Sequence, residues 1–251
     1  MTTKKFFLVC FAMIAFIACS EDESDVTDNG PITSFEITRN WQNSTLTSDF
    51  LNNQKQISHY NFDKKNIANA LRVPSIVNFR FVLGLLQNEL QITMVGVDEE
   101  GNEILKIYSI PHKTSRYQEA IDELKDSPYV YSNERLNTPI IGNHLLQYAD
   151  VYEYISKWQG ALESGNIHGA IKNKGTRYRY FSLKKEVVAE MIAKTRIDCI
   201  ALFLGINADN KMTTVFLQKD IFKNLILYNK NHPIKSGEAF DFTQPCPDNC
   251  D

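Results

Sequence analysis

Hydrophobic and polar residues follow the same pattern twice along the chain, in residues 62–85 and 183–206. At an offset of 121, the two stretches align over 24 positions without a gap, and 11 of these pairs are apolar in both copies. Every second residue near the end of each copy is large and apolar, as Phe81 and Leu202 illustrate, which preserves one buried face. Self-similarity at so long a period indicates a duplicated domain, because solenoid repeats recur about every 20–50 residues.

Within each copy the pattern predicts a helix and then a buried strand. The helices are expected at 62–72 and 183–194, with Asn61 and Ser182 as N-caps, and the strands at 76–85 and 197–206. Gly84 with Gln87 and Asn88, and Gly205 with residues 207–210, are predicted to supply turn chemistry after these strands. Further strands are predicted before and after each copy, at 56–60, 90–97, 105–110, 176–181, 212–217 and 225–228.

A tryptophan lies on an apolar stripe ahead of each copy, Trp41 in the first and Trp158 in the second. Both are predicted to anchor the core. Each repeat is therefore predicted to contain a helix, a strand, a second helix and then an antiparallel meander. This order predicts an α+β fold of two tandem related domains.

The predicted domain boundaries follow from these elements. They place repeat domain 1 at 32–127, a connection rich in Pro, Asn and Gly at 128–145, and repeat domain 2 at 146–251. A helix over 115–125 has no counterpart in the second repeat.

The N-terminal sequence indicates a location outside the cytoplasm. Lys4 and Lys5 precede an apolar run that is too short to span a bilayer, so residues 1–18 are predicted to be a signal peptide. The run ends Phe-Ile-Ala-Cys, which resembles the lipobox of bacterial lipoproteins and implies lipidation of Cys19. A plain secretory signal is the alternative.

Residues 19–31 are acidic and are predicted to form a disordered tether. They resemble the surface-export signal of Bacteroidota lipoproteins, which implies a lipid-anchored protein at the outer membrane, facing the exterior. The alternative is a solvated spacer that carries no address.

Charge and cysteine content narrow the classes of partner and site. Loss of residues 1–18 leaves 25 basic against 30 acidic residues, a net charge of −5, which argues against nucleic acid as a partner. Near the C-terminus, Cys246 and Cys250 are expected to form a local disulfide, with zinc binding as the alternative. Cys199 is expected to be an inert buried thiol.

The order of elements and the tail Phe-Asp-Phe-Thr-Gln-Pro-Cys-Pro-Asp-Asn-Cys, residues 240–250, resemble a group of small uncharacterised Bacteroidota lipoproteins with α+β domains that end in Cys-Pro-x-x-Cys. In this chain the domain is duplicated. The resemblance implies a shared fold and no activity.

No motif for catalysis, cofactor binding or metal binding is present. The five histidines lack the paired spacing of zinc helices, and the glycine patterns of phosphate loops and nucleophile elbows do not occur. The acidic run at 98–103 is predicted to be a solvated hairpin turn. No catalytic, cofactor or metal residue is therefore predicted.

One basic stretch departs from the acidic balance and carries Lys172, Lys174, Arg177 and Arg179. If 176–181 is a strand, both arginines project from its outer face while Tyr178 and Tyr180 pack inward. These cations are predicted to bind anions, from an acidic glycan or from lipid headgroups. The alternative is that they protect an edge strand from pairing.

Taken together, these features favour a lipid-anchored binding or interaction module, whose partner is an acidic glycan or an envelope protein. Two alternatives from other classes stay open. One is an extracytoplasmic hydrolase with its site between the repeats, and the other is a structural partner in an envelope complex.

Overall fold

The computed structural model describes residues 34–115, 121–122, 124–125, 141–227, 237–241 and 245–246. These described residues belong to one compact unit. The predicted signal peptide, the acidic tether with Cys19, most of the connection 128–145, and Cys250 lie outside the described residues.

Helices and antiparallel strands both contribute substantially, which confirms the α+β class. The helices are α1 (Ser34–Asn43), α2 (Ser48–Lys55), α3 (Lys64–Leu71), α4 (Tyr148–Ser164) and α5 (Lys185–Ile192). The strands of the first half are β1 (Ile57–Asp63), β2 (Asn78–Leu86), β3 (Glu89–Val97), β4 (Glu103–Tyr108) and β5 (Ile110–Lys113). Those of the second half are β6 (Lys172–Asn173), β7 (Thr176–Arg177), β8 (Tyr180–Lys184), β9 (Cys199–Ile206), β10 (Met212–Lys219), β11 (Ala239–Asp241) and β12 (Pro245–Cys246).

The predicted N-caps of the two repeated helices are wrong by two residues. The caps are Asp63, whose carboxylate accepts the amide of Asn66 at 3.1 Å, and Lys184, which makes no side-chain cap bond. Asn61 and Ser182 lie in strands instead, because they pair with strands of the other half of the chain. These ladder contacts hold the backbone extended past the points where local capping preferences would begin a helix.

Two five-stranded antiparallel sheets form the body of the fold, and each contains strands from both halves. The first sheet has the order β11-β10-β9-β1-β5, and the second has the order β12-β8-β2-β3-β4. Strand β1 of the first half pairs with β9, whereas β8 of the second half pairs with β2. The predicted repeat domains at 32–127 and 146–251 therefore share both sheets.

The two sheets have matching registers. Asn61 is opposite Ala201 in the first sheet, and Ser182 is opposite Arg80 in the second. Asn61 and Ser182 are 121 residues apart, and so are Arg80 and Ala201. In both sheets, therefore, a strand that precedes the repeated helix in one half pairs with the strand that follows the repeated helix in the other half.

The main hydrophobic core lies between the sheets. Phe81 of the second sheet has its ring 4.8 Å from that of Phe216 in the first. Trp41 and Trp158 are buried within this core, which confirms their predicted role as anchors.

A second apolar cluster covers the outer face of the first sheet. Helix α4 packs there through Val151 and Ile155, and Ile121 and Leu124 add to the cover. Residues 121, 122, 124 and 125 are helical, within the helix predicted at 115–125. Of the predicted strand at 225–228, the described part contributes an isolated bridge between Leu225 and Lys219. Among the described helices, none has the length and apolar character to cross a membrane.

Candidate functional site

The basic stretch singled out in the sequence forms a short hairpin instead of one continuous strand. Strands β6 and β7 pair so that Lys172 is opposite Arg177. Lys174 and Gly175 make the turn between them with φ values of 46° and 86°, the positive values that two-residue hairpin turns require. The two predicted anion-binding cations Lys172 and Arg177 are thereby brought side by side.

Arg177 does not point outward, so this part of the prediction is wrong. Only 7% of Arg177 is exposed, whereas Arg179 is exposed as predicted. Strand β7 ends at Arg177 and β8 begins at Tyr180, so the strand alternation assumed for 176–181 is interrupted between them. Tyr178 packs into the main core as predicted, whereas Tyr180 is buried on the outer face of the second sheet, opposite Val82, so its predicted inward packing is wrong.

Trp41 holds Arg177 in its buried position. A terminal guanidinium nitrogen of Arg177 donates to the carbonyl of Trp41, and the guanidinium carbon lies 5.3 Å from the indole centroid. The indole nitrogen of Trp41 in turn donates to the carbonyl of Tyr178 at 2.6 Å. The guanidinium is therefore oriented by one of the two core anchors, with a cation–π contact that contributes to its position.

Arg177 and Lys172 line a cavity of about 460 Å³, here called the polar pocket, together with Gln42, Asn43, His168 and Thr176. Amide, hydroxyl and imidazole groups surround the two cations, and no acidic residue belongs to the lining. Lys174 and Arg179 do not line the polar pocket. Arg179 lines a separate groove on the second sheet.

The electrostatics of Arg177 are unusual for a buried cation. Within the described part of the chain it forms no ion pair, and its Nε has no hydrogen-bond partner. Burial lowers the pKa of its guanidinium. Because a buried charge without a counterion is costly, the polar pocket is suited to an anion that comes from outside the chain.

A second polar cluster, which the sequence did not reveal, lies on the first sheet. The hydroxyl of Ser58 is 2.8 Å from Nδ1 of His59, and Nε2 of His59 is 3.0 Å from Nζ of Lys219. The three residues come from positions 58, 59 and 219, and no spacing in the sequence connects them. Ser58, His59 and Lys219 are 3%, 4% and 5% exposed, so the Ser-His pair is closed to a substrate.

The hydrogen bonds of this cluster run in one direction. Charged Lys219 donates to Nε2 of His59, and Nδ1–H of His59 donates to the hydroxyl oxygen of Ser58. Ser58 in turn donates to the carbonyl of His112 at 3.2 Å. A catalytic serine must instead give its proton to the imidazole, so this arrangement does not activate Ser58 as a nucleophile.

The cysteines behave differently from one another. Cys199 is free and buried, its thiol lies 3.6 Å from the side-chain oxygen of Asn61, and burial raises its pKa. Cys246 is disulfide-bonded, while its predicted partner Cys250 lies outside the described residues. Among the residues that the structure describes, no cluster of three His, Cys, Asp or Glu side chains could hold a metal ion.

Comparison of the chain with protein-family models, with curated proteins and with solved structures finds no match.

Proposed function

We propose that the protein is a lipid-anchored binding module, displayed at the outer membrane, that binds an acidic saccharide in the polar pocket. One observation carries this proposal: Arg177 is buried in the wall of the polar pocket without a counterion among the described residues. A carboxylate or sulfate group on the ligand would supply that counterion.

The rest of the lining favours a sugar over a bare anion. Gln42, Asn43 and Thr176 place amide and hydroxyl groups around the cations, and such groups form hydrogen bonds with sugar hydroxyls. Lys172 adds a second positive charge opposite Arg177. The combination matches a uronic acid, which carries one carboxylate among several hydroxyl groups.

The test uses soluble protein that begins at residue 20 and an oligogalacturonate as the probe. Binding is measured by titration calorimetry at low and at physiological salt, with the carboxyl-reduced oligosaccharide of the same length as the neutral control. We expect saturable binding of the acidic oligosaccharide that weakens as salt increases, and no binding of the neutral one.

Matched variants locate the site. Lys172→Gln and Arg177→Gln should each weaken binding at least tenfold, whereas Arg179→Gln, outside the polar pocket, should leave it unchanged. Arg177→Lys keeps the charge but loses the planar fork, so its effect should be intermediate. Equal loss in Arg179→Gln, or binding of the neutral oligosaccharide with the same affinity, would contradict the proposal.

The lipid anchor has its own test. Palmitate labelling of cells should tag the wild-type protein and should disappear in Cys19→Ala, because this residue is the predicted acceptor. Label retained in that variant would contradict anchoring through Cys19 and would leave the polar pocket unaffected.

The two alternatives from other classes receive less support. The one Ser-His pair described above is buried, and its hydrogen bonds do not activate Ser58. A structural partner in an envelope complex is favoured by the exposed turn that carries Ile221 and Phe222, which are 67% and 76% exposed. Two residues form too small an apolar area to define an interface by themselves.

A further inference from the structure

A groove of about 540 Å³ lies on the outer face of the second sheet, separate from the polar pocket. This outer-sheet groove is lined by Phe35, Ile37, Arg80, Val82, Lys106 and Arg179, among others. Its volume falls within the range of small-molecule sites, about 300–1,000 Å³.

Helix α1 forms one wall of the outer-sheet groove. It crosses β2 at Gly84, where an added Cβ atom would lie 2.3 Å from Cγ2 of Ile37. Phe35, two residues earlier in α1, is 72% exposed at the edge of the groove. The groove is therefore apolar on the side of α1.

The floor of the outer-sheet groove is arranged in rows across the sheet. Tyr180, Val82, Thr93 and Tyr108 are successive neighbours in one row. In the next row, Val95 lies between Arg80 and Lys106, so the backbones of these two residues are about 10 Å apart. The cationic row is roughly 13 Å from the level of Gly84, because four residues of a strand separate them.

The charged side chains on the floor are already oriented. Arg80 donates to the carbonyl of Gly101 at 3.0 Å, and its guanidinium lies 4.8 Å from the ring centroid of Tyr180. Lys106 pairs with Glu103 at 2.8 Å. Three cations and one carboxylate line the groove, which leaves an excess of positive charge.

The matching positions of the first sheet are filled by the chain itself. At the offset of 121, Arg80 and Val82 correspond to Ala201 and Phe203. Across the hairpins, Val82 is opposite Thr93, and Phe203 is opposite Val215. Ala201, Phe203 and Val215 are buried under α4 and Ile121. The residues at these positions are thus larger or more apolar in the first sheet, where α4 covers them. They are smaller or more polar in the second sheet, where the groove is open.

From this difference we infer that the outer-sheet groove is a second binding site, which takes an aliphatic carboxylate with an apolar chain of roughly 13 Å. The chain would lie along Val82, Tyr108 and the apolar side of α1. The carboxylate would meet the cationic row of Arg80 and Lys106. This inference does not depend on the saccharide site.

The test is titration calorimetry of the soluble protein with decanoate. We expect one decanoate per chain, with acetate and 1-decanol each at least tenfold weaker, because acetate lacks the chain and the alcohol lacks the charge. This comparison needs no variant. Equal affinity for decanoate and 1-decanol, or no saturable binding of decanoate, would overturn the inference.

Variants then locate the site on the sheet. Val82→Phe introduces the residue that occupies the matching position in the other sheet, so it should fill the groove and weaken decanoate binding at least tenfold. Its melting temperature should stay close to that of the wild type. Lys106→Gln, in the cationic row, should weaken binding at least threefold, and Lys172→Gln, in the polar pocket, should have no effect. Unchanged decanoate binding in Val82→Phe or Lys106→Gln would overturn the inference.

Discussion

Gly84 and Gly205 occupy matching positions, 121 residues apart, and each lies directly beneath a helix. An added Cβ atom at Gly84 would lie 2.3 Å from Cγ2 of Ile37 in α1, and one at Gly205 would lie 3.0 Å from Cβ of Tyr154 in α4. Gln87 and Asn88 make the first predicted turn and residues 207–210 the second, but both glycines are inside strands, so the prediction that the glycines contribute to these turns is wrong. Their shared role is to let a helix approach the sheet closely.

Gly84→Ala should therefore lower the free energy of unfolding by about 1–3 kcal/mol, because the new methyl group overlaps a β-branched side chain with little freedom to move. Gly205→Ala should lower the free energy of unfolding by less, because the closest atom is 3.0 Å from its added Cβ, against 2.3 Å at Gly84. Urea denaturation measures both effects. Ile37→Leu removes Cγ2 and should recover part of the loss in the Gly84→Ala background.

Gly160 in α4 is the matched control for this substitution. No atom lies within 4 Å of a Cβ added there, so Gly160→Ala should stabilise the helix by about 0.5–1 kcal/mol. A similar loss in Gly160→Ala and Gly84→Ala would contradict the steric explanation.

His59 should make the protein less stable as the pH decreases below 6.5. Burial, followed by the charges of Lys219 and His112, lowers the pKa of His59 from 6.5 to about 2. Below pH 6.5 the unfolded chain binds a proton that folded His59 excludes. The free energy of unfolding therefore starts to decrease below pH 6.5 and continues to decrease until about pH 2, where folded His59 also binds a proton. At pH 5 the free energy of unfolding should be about 2 kcal/mol lower than at pH 7 from this group.

Urea denaturation at pH 7 and pH 5 measures this change, and His59→Gln should reduce it by about 2 kcal/mol. Protonation of the His59 ring near pH 6 in NMR spectra of the folded protein would contradict the prediction directly.

Asp241 should have the opposite effect on pH dependence. Burial, followed by the charge of Asp150, raises the pKa of Asp241 from 3.8 to about 6. Its ionised form therefore destabilises the native state above pH 6, and stability is regained as the pH falls from 6 to 3.8. Asp241→Asn should raise the free energy of unfolding by about 1–3 kcal/mol at pH 7 and by almost nothing below pH 4.

Asp150→Asn is the control for this effect. It removes the repulsion between Asp150 and Asp241 but leaves Asp241 buried. It also removes an acidic residue from the first turn of α4, where a negative charge stabilises the helix, so the gain in the free energy of unfolding should be smaller than for Asp241→Asn. A gain in Asp241→Asn that persists below pH 4 would show that charge is not the cause.

We predict that the disulfide partner of Cys246 is Cys250. Mass spectrometry of peptides from the non-reduced protein should show this link, with Cys199 as the free thiol. Alkylation of Cys199 in the folded protein should be slow, because its thiol is buried and its pKa is raised. Bound zinc in a 1:1 ratio, or three reactive thiols, would contradict the pairing.

The sequence by itself determined the α+β class, the order of the main elements and the identity of two core anchors. The repeated apolar spacing predicted strands that the structure has at 78–86 and 199–206, and their partners at 89–97 and 212–219. Trp41 and Trp158 were recognisable because they lie on apolar stripes. These features depend on which side chains leave water, and local periodicity encodes that property.

Only the tertiary structure decided which strands meet. The apolar faces of β2 and β9 could each accept several neighbours, and their pairing with β8 and β1 of the opposite half depends on packing between distant parts of the chain. A common origin of the halves stays a prediction.

The burial of Arg177 and the contact between His59 and Lys219 could not be predicted from the sequence, for the same reason. Each joins residues 136 or 160 positions apart, so no local pattern could indicate it. The free energy of these contacts depends on the burial of both partners, which exists only once the sheets have assembled.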